Sequence, residues 1–311
     1  MEFHLKNLRF CFLVLIVFAI FATGCLPQIL PSQAAIKITD GLDRIVELDG
    51  PAKKIISLAP SNTEILFAVG AGPQVIGRDS FSDFPEDAKK ITEVGGLTGT
   101  YNLEKITSMQ PDLVILAGIN SPELVSSLEK LNLNVFYLNN PTDFEGLYKN
   151  IETVGLLSGH ENDAASQVKV LKEKVDSIKT KMTGVTSHPR VYYELDGTDP
   201  TRPWTSGPGT FMDMIIKTVG GENIGAKLTT EWAQISQEEI LLQNPDYILL
   251  GDGAYGITSE MVASRPGWKE INAVKNGHIE LFDDNLVSRP GPRLVEGLEV
   301  LAKILQPDVM K

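Results

Sequence analysis

Cysteine is almost missing from this chain. Its 311 residues hold two, Cys11 and Cys25, both near the N-terminus. The rest of the sequence has no pair to oxidise, so no internal disulfide frames a fold there. Histidine is nearly as scarce. His4, His160, His188 and His278 stand far apart, which argues against a site of several histidines around a metal. No H-x-x-E-H, G-x-S-x-G, phosphate loop or cysteine–histidine pair occurs. Neither a catalytic constellation nor a metal site is expected. Positive charge is also in deficit: 28 Lys+Arg against 40 Asp+Glu give a net charge of −12. That argues against nucleic acid as a partner. Aromatic residues make up only 7% of the chain, so the places where they fall are informative.

Long apolar runs are missing too, with one exception. Residues 10–21 are purely apolar and follow Lys6 and Arg9. The run is shorter than the ~20 residues of a membrane-spanning helix, so it reads as a targeting segment. Ala22-Thr23-Gly24-Cys25 follows and resembles a bacterial lipoprotein cleavage box, departing from it at Ala22, where leucine is usual. The resemblance implies cleavage before Cys25 and a lipid on it. A plain secretory signal would leave Cys25 as an exposed lone thiol. The expected organisation is a signal peptide over 1–24, a lipid-anchored tether over 25–35, an N-terminal α/β lobe over 36–158, an interlobe helix over 159–184 and a C-terminal α/β lobe over 185–311.

What the chain does have is a repeated module. N-L-E-K-I-T-S-M-Q-P-D-L-V-I-L runs from Asn102 to Leu116, and S-Q-E-E-I-L-L-Q-N-P-D-Y-I-L-L from Ser236 to Leu250. In each, a capping residue opens a short helix, a proline stops it, and an apolar run forms a buried strand. Two such modules far apart in sequence predict two similar lobes with a cleft between them. Glu104 and Glu238 occupy matching positions. Strands alternating with helices predict a parallel α/β sheet in each lobe. Strands are expected at 55–58, 75–77, 135–138, 190–195 and 279–282, and 36–48 has strand character with a turn at Asp40-Gly41. Helices are expected at 122–131, 211–219, 259–263 and 297–305. Ser61-Asn62-Thr63-Glu64 has capping-box spacing, and so does Ser236…Glu239. Between the lobes, Ala164, Val168, Leu171, Val175, Ile178 and Met182 recur every three or four residues. They mark one apolar stripe on a helix of about six turns. No glycine or proline interrupts it, so a stiff connection is expected.

I-I-S-L-A-P-S-N-T-E-I-L-F-A-V-G-A-G, S-D-F-P-E-D-A, N-L-E-K-I, Q-P-D-L-V-I-L, V-G-G-E-N, I-S-Q-E-E-I-L, R-P-G-W-K-E-I-N-A-V-K-N-G and S-R-P-G-P-R stand in this order across residues 54–305. As a set they resemble the substrate-binding lipoproteins of ABC importers in the cobalamin and iron-siderophore class, and most of all the cobalamin-binding members. The resemblance implies two Rossmann-like lobes joined by one long rigid α-helix, the class III periplasmic-binding-protein fold, with the ligand in the cleft. It implies a carrier rather than an enzyme. It also implies delivery to a permease dimer with its ATPase subunits, with Glu104 and Glu238 docking into arginine pockets of the permease. The protein is expected outside the cytoplasm, held to the membrane by lipid, and monomeric. A ferric-siderophore or haem carrier is the alternative within the class. An exported enzyme, sensor or adhesin on the same fold is the alternative outside it.

Candidate ligand contacts follow from position. Ser61 and Asn62 stand where a strand ends and a helix begins, the edge at which open α/β sheets bind ligands; Ser61 also reads as a helix cap. Phe81, Phe84, Tyr101, Trp204 and Trp232 all fall in expected loops and suit the walls of a large flat ligand, or else pack under those loops. Trp268 reads as core. Within S-R-P-G-P-R, Arg289 is a donor to ligand amides or carboxylates and Arg293 reads as a structural ion-pair partner. Asp284 and Asn285 share that loop, and Asn285 is taken as a contact. Carboxylate-rich siderophores would need several cleft arginines, for which Arg78, Arg202 and Arg289 are the candidates. An axial ligand for haem would have to be a tyrosine or one of the three later histidines.

Overall fold

The structure is a computed structural model that describes residues 35–96 and 100–311. The expected signal segment, nearly all of the tether and Cys25 lie outside the described residues. Among the described residues no helix is long and apolar enough to cross a membrane.

The chain first makes an antiparallel hairpin of β1 (Ile36–Thr39) and β2 (Ile45–Leu48). Its turn is fixed by Asp40, whose Oδ1 accepts the backbone N–H groups of Leu42 and Arg44 at 2.9 and 3.0 Å. The N-terminal lobe continues as β3 (Ile55–Ser57), α1 (Pro60–Ala68), β4 (Val75–Arg78), β5 (Thr92–Glu93), α2 (Leu103–Ser108), β6 (Leu113–Ala117), α3 (Pro122–Glu129), β7 (Val135–Leu138) and α4 (Phe144–Ser158). Its five strands form one parallel sheet in the order β5-β4-β3-β6-β7. Neighbouring residues on these strands face opposite ways, and both faces are covered. Ile55 and Ile115 belong to the main core, whereas Ile56 and Val114 belong to a second cluster with Ile106 and Leu128. Burial on both faces explains why the strands read as continuous apolar runs.

The helix α5 (Glu161–Met182) links the lobes. Its buried residues are Ala164, Val168, Leu171, Val175 and Ile178, the stripe expected from the spacing. At 1.5 Å per residue it spans roughly 33 Å. One core cluster runs from β3 and α1, through α4 and this stripe, into the second lobe. Bending the connection would therefore break packing along the whole helix.

The C-terminal lobe is built from β8 (Arg190–Glu194), β9 (Trp204–Ser206), α6 (Phe211–Thr218), β10 (Glu222–Asn223), β11 (Trp232–Gln234), α7 (Gln237–Gln243), β12 (Tyr247–Leu250), α8 (Ser259–Ala263), α9 (Asn272–Asn276), β13 (Ile279–Leu281) and α10 (Leu294–Leu305). Its parallel sheet has the order β10-β8-β12-β13. β9 and β11 pair with each other as a separate antiparallel ribbon. Trp204 and Trp232 thus lie in strands rather than in the loops expected for them. Three-residue strands with no alternation leave no periodic signal. The expectations above also lack α4. Its buried residues include Leu147, Ile151 and Val154, but Gly146 and Gly155 interrupt the pattern.

Two capping expectations need correction. α1 begins at Pro60 with Ala59 as its N-cap and no side-chain cap, so Ser61 is inside the helix and is not its cap. Proline suits the first helical turn because the amide it lacks would be unpaired there anyway. Glu64 consequently forms no capping box. At the other site, Ser236 Oγ does accept the N–H of Glu239, at 3.1 Å, but the Glu239 carboxylate turns to Gln243 instead of closing the box.

Candidate functional site

Each sheet ends its strands toward the same cleft. Pro60 and Ser61 follow β3, Phe81 follows β4, Ala117, Gly118 and Ile119 end and follow β6, and Asn140 follows β7. From the other lobe come Leu195 after β8, Tyr255 after β12, and Asp284, Asn285, Ser288, Arg289 and Pro290 after β13, with Phe211 and Trp232 beside them. These residues enclose a cavity of about 380 Å³. The edge at which parallel sheets expose loops and backbone amides is thus shared by both lobes.

The walls are aromatic. Trp232 and Phe211 pack against each other with ring centroids 5.4 Å apart and planes tilted by 53°. Phe81 is 42% exposed opposite them, and Tyr255, at 84%, and Ile119, at 72%, are the more exposed apolar groups of the lining. Large side chains left this open have not found partners within the fold.

Charge in the cleft is already paired. Arg289 is the only cation that lines the cavity among the described residues. Its Nη1 donates to Asp83 and lies 3.8 Å from Glu64. Burial raises the Asp83 carboxyl, but the hydrogen bond and charge of Arg289 outweigh it and hold the group below the usual aspartate range. Behind Arg289, Arg293 grips Glu64 through two bonds of 2.9 and 2.5 Å. Glu64 is 3% exposed, and burial pushes its carboxyl up against the pull of Arg293. The Arg293 guanidinium also lies 3.9 Å from the centre of the Phe84 ring, a cation–π arrangement. Glu64, Asp83 and Phe84 belong to one lobe and Arg289 and Arg293 to the other. The pair expected for Arg293 therefore exists, and it ties the lobes together. Asp284, in the same wall, takes the hydroxyl of Tyr193. Burial pushes its carboxyl up despite that bond.

The expected contacts separate into two groups. Ser61, Phe81, Trp232, Asn285 and Arg289 come together around the cavity. Asn62, Phe84, Tyr101 and Trp204 are not among its lining residues. Asn62 is 1% exposed, and its Nδ2 is buried without a partner among the described residues. Phe84 stacks on Arg293. Tyr101 donates its hydroxyl to Leu58 O at 3.2 Å and accepts from Asn120 Nδ2 at 2.8 Å. Burial, and then the charge of Asp79, push that hydroxyl up to about 12. Trp204 sits on the β9–β11 ribbon, 41% exposed. Trp268 is fully buried, as expected of core. Ile119, Asn140, Phe211 and Tyr255 are among the lining residues absent from the sequence expectations. Asn140 and Tyr255 follow strands that were expected, and the strand-end rule that selected Ser61 reaches them too.

Glu104 and Glu238 take the matching places set by the repeat. Asn102 Oδ1 accepts Lys105 N–H at 2.8 Å, and Ser236 Oγ accepts Glu239 N–H at 3.1 Å, so each helix is capped by its repeat residue. Both glutamates are exposed in the first turn. Among the described residues neither side chain makes a hydrogen bond or ion pair. No group of three or more His, Cys, Asp or Glu side chains among these residues is placed to hold a metal ion.

The chain is 34% identical to an uncharacterized ABC transporter substrate-binding lipoprotein of Bacillus subtilis, over 89% of this chain and 87% of that one. The structure of the periplasmic vitamin B12 binding protein of Vibrio cholerae matches with a TM-score of 0.72 and 25% identity, covering 83% of this chain and 98% of the other. The periplasmic heme-binding protein of Roseiflexus sp. RS-1 matches with a TM-score of 0.73 and 25% identity, covering 84% and 100%. The model of the periplasmic binding protein family matches residues 55–286. With its two parallel-sheet lobes, its single long linking helix and a cleft at the carboxyl ends of both sheets, this chain belongs to the periplasmic binding protein family.

Proposed function

We propose that this protein is the substrate-binding lipoprotein of an ABC importer and that it carries a corrinoid, cobalamin first among them. The class itself, a transport protein and not an enzyme, follows from the family and from the Bacillus relative. The corrinoid reading rests on one observation: among the described residues the cleft offers aromatic walls from both lobes and no free cation, since Arg289 is already engaged by Asp83. A carboxylate-rich siderophore would bring several negative charges to a cleft whose one lining cation among the described residues is already paired, at a high desolvation cost. A corrinoid presents a broad flat face for Phe81, Phe211 and Trp232, and its rim of neutral amides suits Ser61, Asn285 and Asp284. The vitamin B12 binding protein of Vibrio cholerae is a relative of matching build.

Haem is the second reading, and Tyr255 favours it. The ring stands 84% exposed at the cavity, where a phenol can meet an iron atom. Two carboxylate side chains on haem would still lack a free arginine.

In this reading, the N-terminal segment exports the chain and Cys25 holds it to the membrane by lipid, as the lipoprotein name of the Bacillus relative supports. Glu104 and Glu238, one per lobe and without a bond among the described residues, dock on a permease of matching twofold build. Calorimetric titration of the purified protein with cyanocobalamin, haemin and a ferric siderophore tests the ligand. Strong heat with cyanocobalamin alone is the expected result. Binding of haemin that is lost in Tyr255→Phe would transfer the assignment to haem.

A further inference from the structure

A second, larger cavity of about 710 Å³ adjoins the cleft. Gly118 and Asn140 line both. On the opposite lobe, Glu231 lines the second cavity and the next residue, Trp232, lines the first. The two spaces are therefore successive parts of one interlobe groove. The turn of the β1–β2 hairpin, the residues after β7 and the first turns of α4 complete the second part.

Its lining differs in kind from the cleft. A Cβ added to Gly41 would stand 2.7 Å from Asn139 Cγ, and one added to Gly118 would stand 2.7 Å from Asn140 Cγ. Only glycine at both places lets the two consecutive amides lie against the backbone on the cavity wall. Among the described residues, the side chains of Asn139, Asn140, Thr142 and Lys149 make no hydrogen bond or ion pair, so all are free to bind. Among the described residues Lys149 is the one cation of this lining, which also holds the carboxylates of Asp43 and Glu231. Asp40 is taken by Arg44. Such a wall suits hydroxyl and amide groups and a single anionic group, and offers little to an apolar body.

We infer that this polar annex receives a hydroxyl- and phosphate-bearing arm of the same ligand whose flat body occupies the aromatic cleft. The inference rests on the corrinoid reading above. A cleft of 380 Å³ lies near the lower end of the ~300–1,000 Å³ range of ligand pockets, and a corrinoid with its nucleotide arm needs more room. The arm carries ribose hydroxyls for Asn139 and Asn140 and one phosphodiester for Lys149. The annex thus reads the nucleotide arm, while the cleft reads the macrocycle.

The test compares cyanocobalamin with dicyanocobinamide, which lacks the arm, on the purified protein by calorimetry. The wild type is expected to hold cyanocobalamin at least about tenfold more tightly, the worth of one good polar contact at 1.4 kcal/mol per decade. Lys149→Met combined with Asn139→Ala should remove that difference and leave cobinamide binding unchanged. Both positions are exposed, and an unchanged thermal midpoint verifies folding. Equal affinity of the wild type for the two corrinoids overturns the annex and spares the corrinoid reading. Equal weakening of both ligands in the double variant does the same. If neither corrinoid binds, the corrinoid reading falls and takes the annex with it.

Discussion

The two lobes use one module and finish it differently. In the N-terminal lobe, Asp112 Oδ2 accepts the backbone N–H groups of Lys53 and Lys54, each at 2.8 Å, just before β3. In the C-terminal lobe, Asp246 Oδ2 accepts the N–H of Arg190 at 2.9 Å, at the start of β8. The aspartate of each Pro-Asp pair thus clamps the amino end of the neighbouring strand. At the other end of those strands the lobes diverge. β3 ends in Ser57, held in a chain of hydroxyls: Thr63 Oγ1 bonds Ser57 Oγ and Ser82 Oγ at 2.7 Å each, and Ser82 donates to Asp79. β8 ends in Glu194, fully buried and gripped by Arg265 through bonds of 2.5 and 2.8 Å, with Tyr192 donating at 3.0 Å. The amino ends are tied by the repeat, whereas the carboxyl ends lead into the cleft and differ.

The difference predicts unequal fragility. Arg265→Met leaves the Glu194 carboxylate buried without its partner, a loss of about 3–5 kcal/mol. Thr63→Val removes neutral hydroxyl bonds worth about 0.5–1.5 kcal/mol each. Denaturant unfolding of both variants measures the contrast. Similar losses would mean that the Arg265 pair is no more critical than the hydroxyl chain. Adding Glu194→Leu to Arg265→Met should recover much of the loss, since replacing both charges removes the unpaired one.

The clamps come next in size. Asp246→Ala gives up bonds from the Arg190 backbone, the Arg190 side chain and Asn272; bonds to a charged group contribute about 1.5–3 kcal/mol. Asp112→Ala loses two backbone bonds at an exposed site and should cost less. An Asp112→Ala loss equal to that of Asp246→Ala would show that backbone clamping alone sets the value. Acid titration separates the carboxylates further. Burial raises the Asp246 carboxyl, but hydrogen bonds from Arg190 and Asn272 outweigh it and the net shift is downward. Its contribution is present above the unfolded value of about 3.9 and lost as pH falls through the folded value. Glu64 is shifted upward by burial. Its contribution is present below the unfolded value of about 4.3 and lost as pH rises through the folded value. Asp246→Asn should therefore flatten the acid limb of the stability profile, and Glu64→Gln should steepen its rise with pH. Stability measured between about pH 2.5 and 6 reads both signs; identical profiles for the two variants would contradict the assignment.

The same contrast explains what could be read from the sequence. Elements whose burial is periodic or continuous were legible: both repeat modules, the α5 stripe, and the strands buried on both faces. Caps that bond their own helix were legible at Asn102 and Ser236. Where a side chain serves a distant partner, local spacing misleads. Ser61 and Glu64 have the spacing of a capping box, yet Glu64 is drawn to Arg293, 229 residues along the chain. Trp204 and Trp232 read as loop residues because their ribbon exists only through the pairing of two short strands. The site was half legible for the same reason. Ser61, beside an obvious strand end, is among the expected contacts, Asn140 and Tyr255 beside others are not, and Phe211, on the first turn of a helix, reaches the cleft through its contact with Trp232.

The smallest effect on stability, and the largest on function, is expected at the glutamates that the repeat matches. Glu104 and Glu238 are exposed and bond nothing among the described residues, while the capping of both helices is done by Asn102 and Ser236. Reversing either glutamate to arginine should leave the unfolding midpoint nearly unchanged. A charge that bonds nothing among the described residues is available to a partner, and one such charge on each lobe matches a permease built from two like halves. Charged pairs across an interface set register and encounter rate, and removing a buried one costs about 2–5 kcal/mol of affinity. Glu104→Arg and Glu238→Arg should each weaken binding to the permease in reconstituted membranes, and the double reversal should abolish uptake while cobalamin affinity stays within about twofold, a fraction of the 1.4 kcal/mol that a decade represents. If the lobes are equivalent in docking as they are in fold, the single reversals will weaken permease binding alike. A loss confined to one of them would limit the equivalence of the lobes to their clamps and caps. Undiminished permease affinity in the double reversal would make both glutamates no more than first-turn carboxylates favoured by the helix dipole.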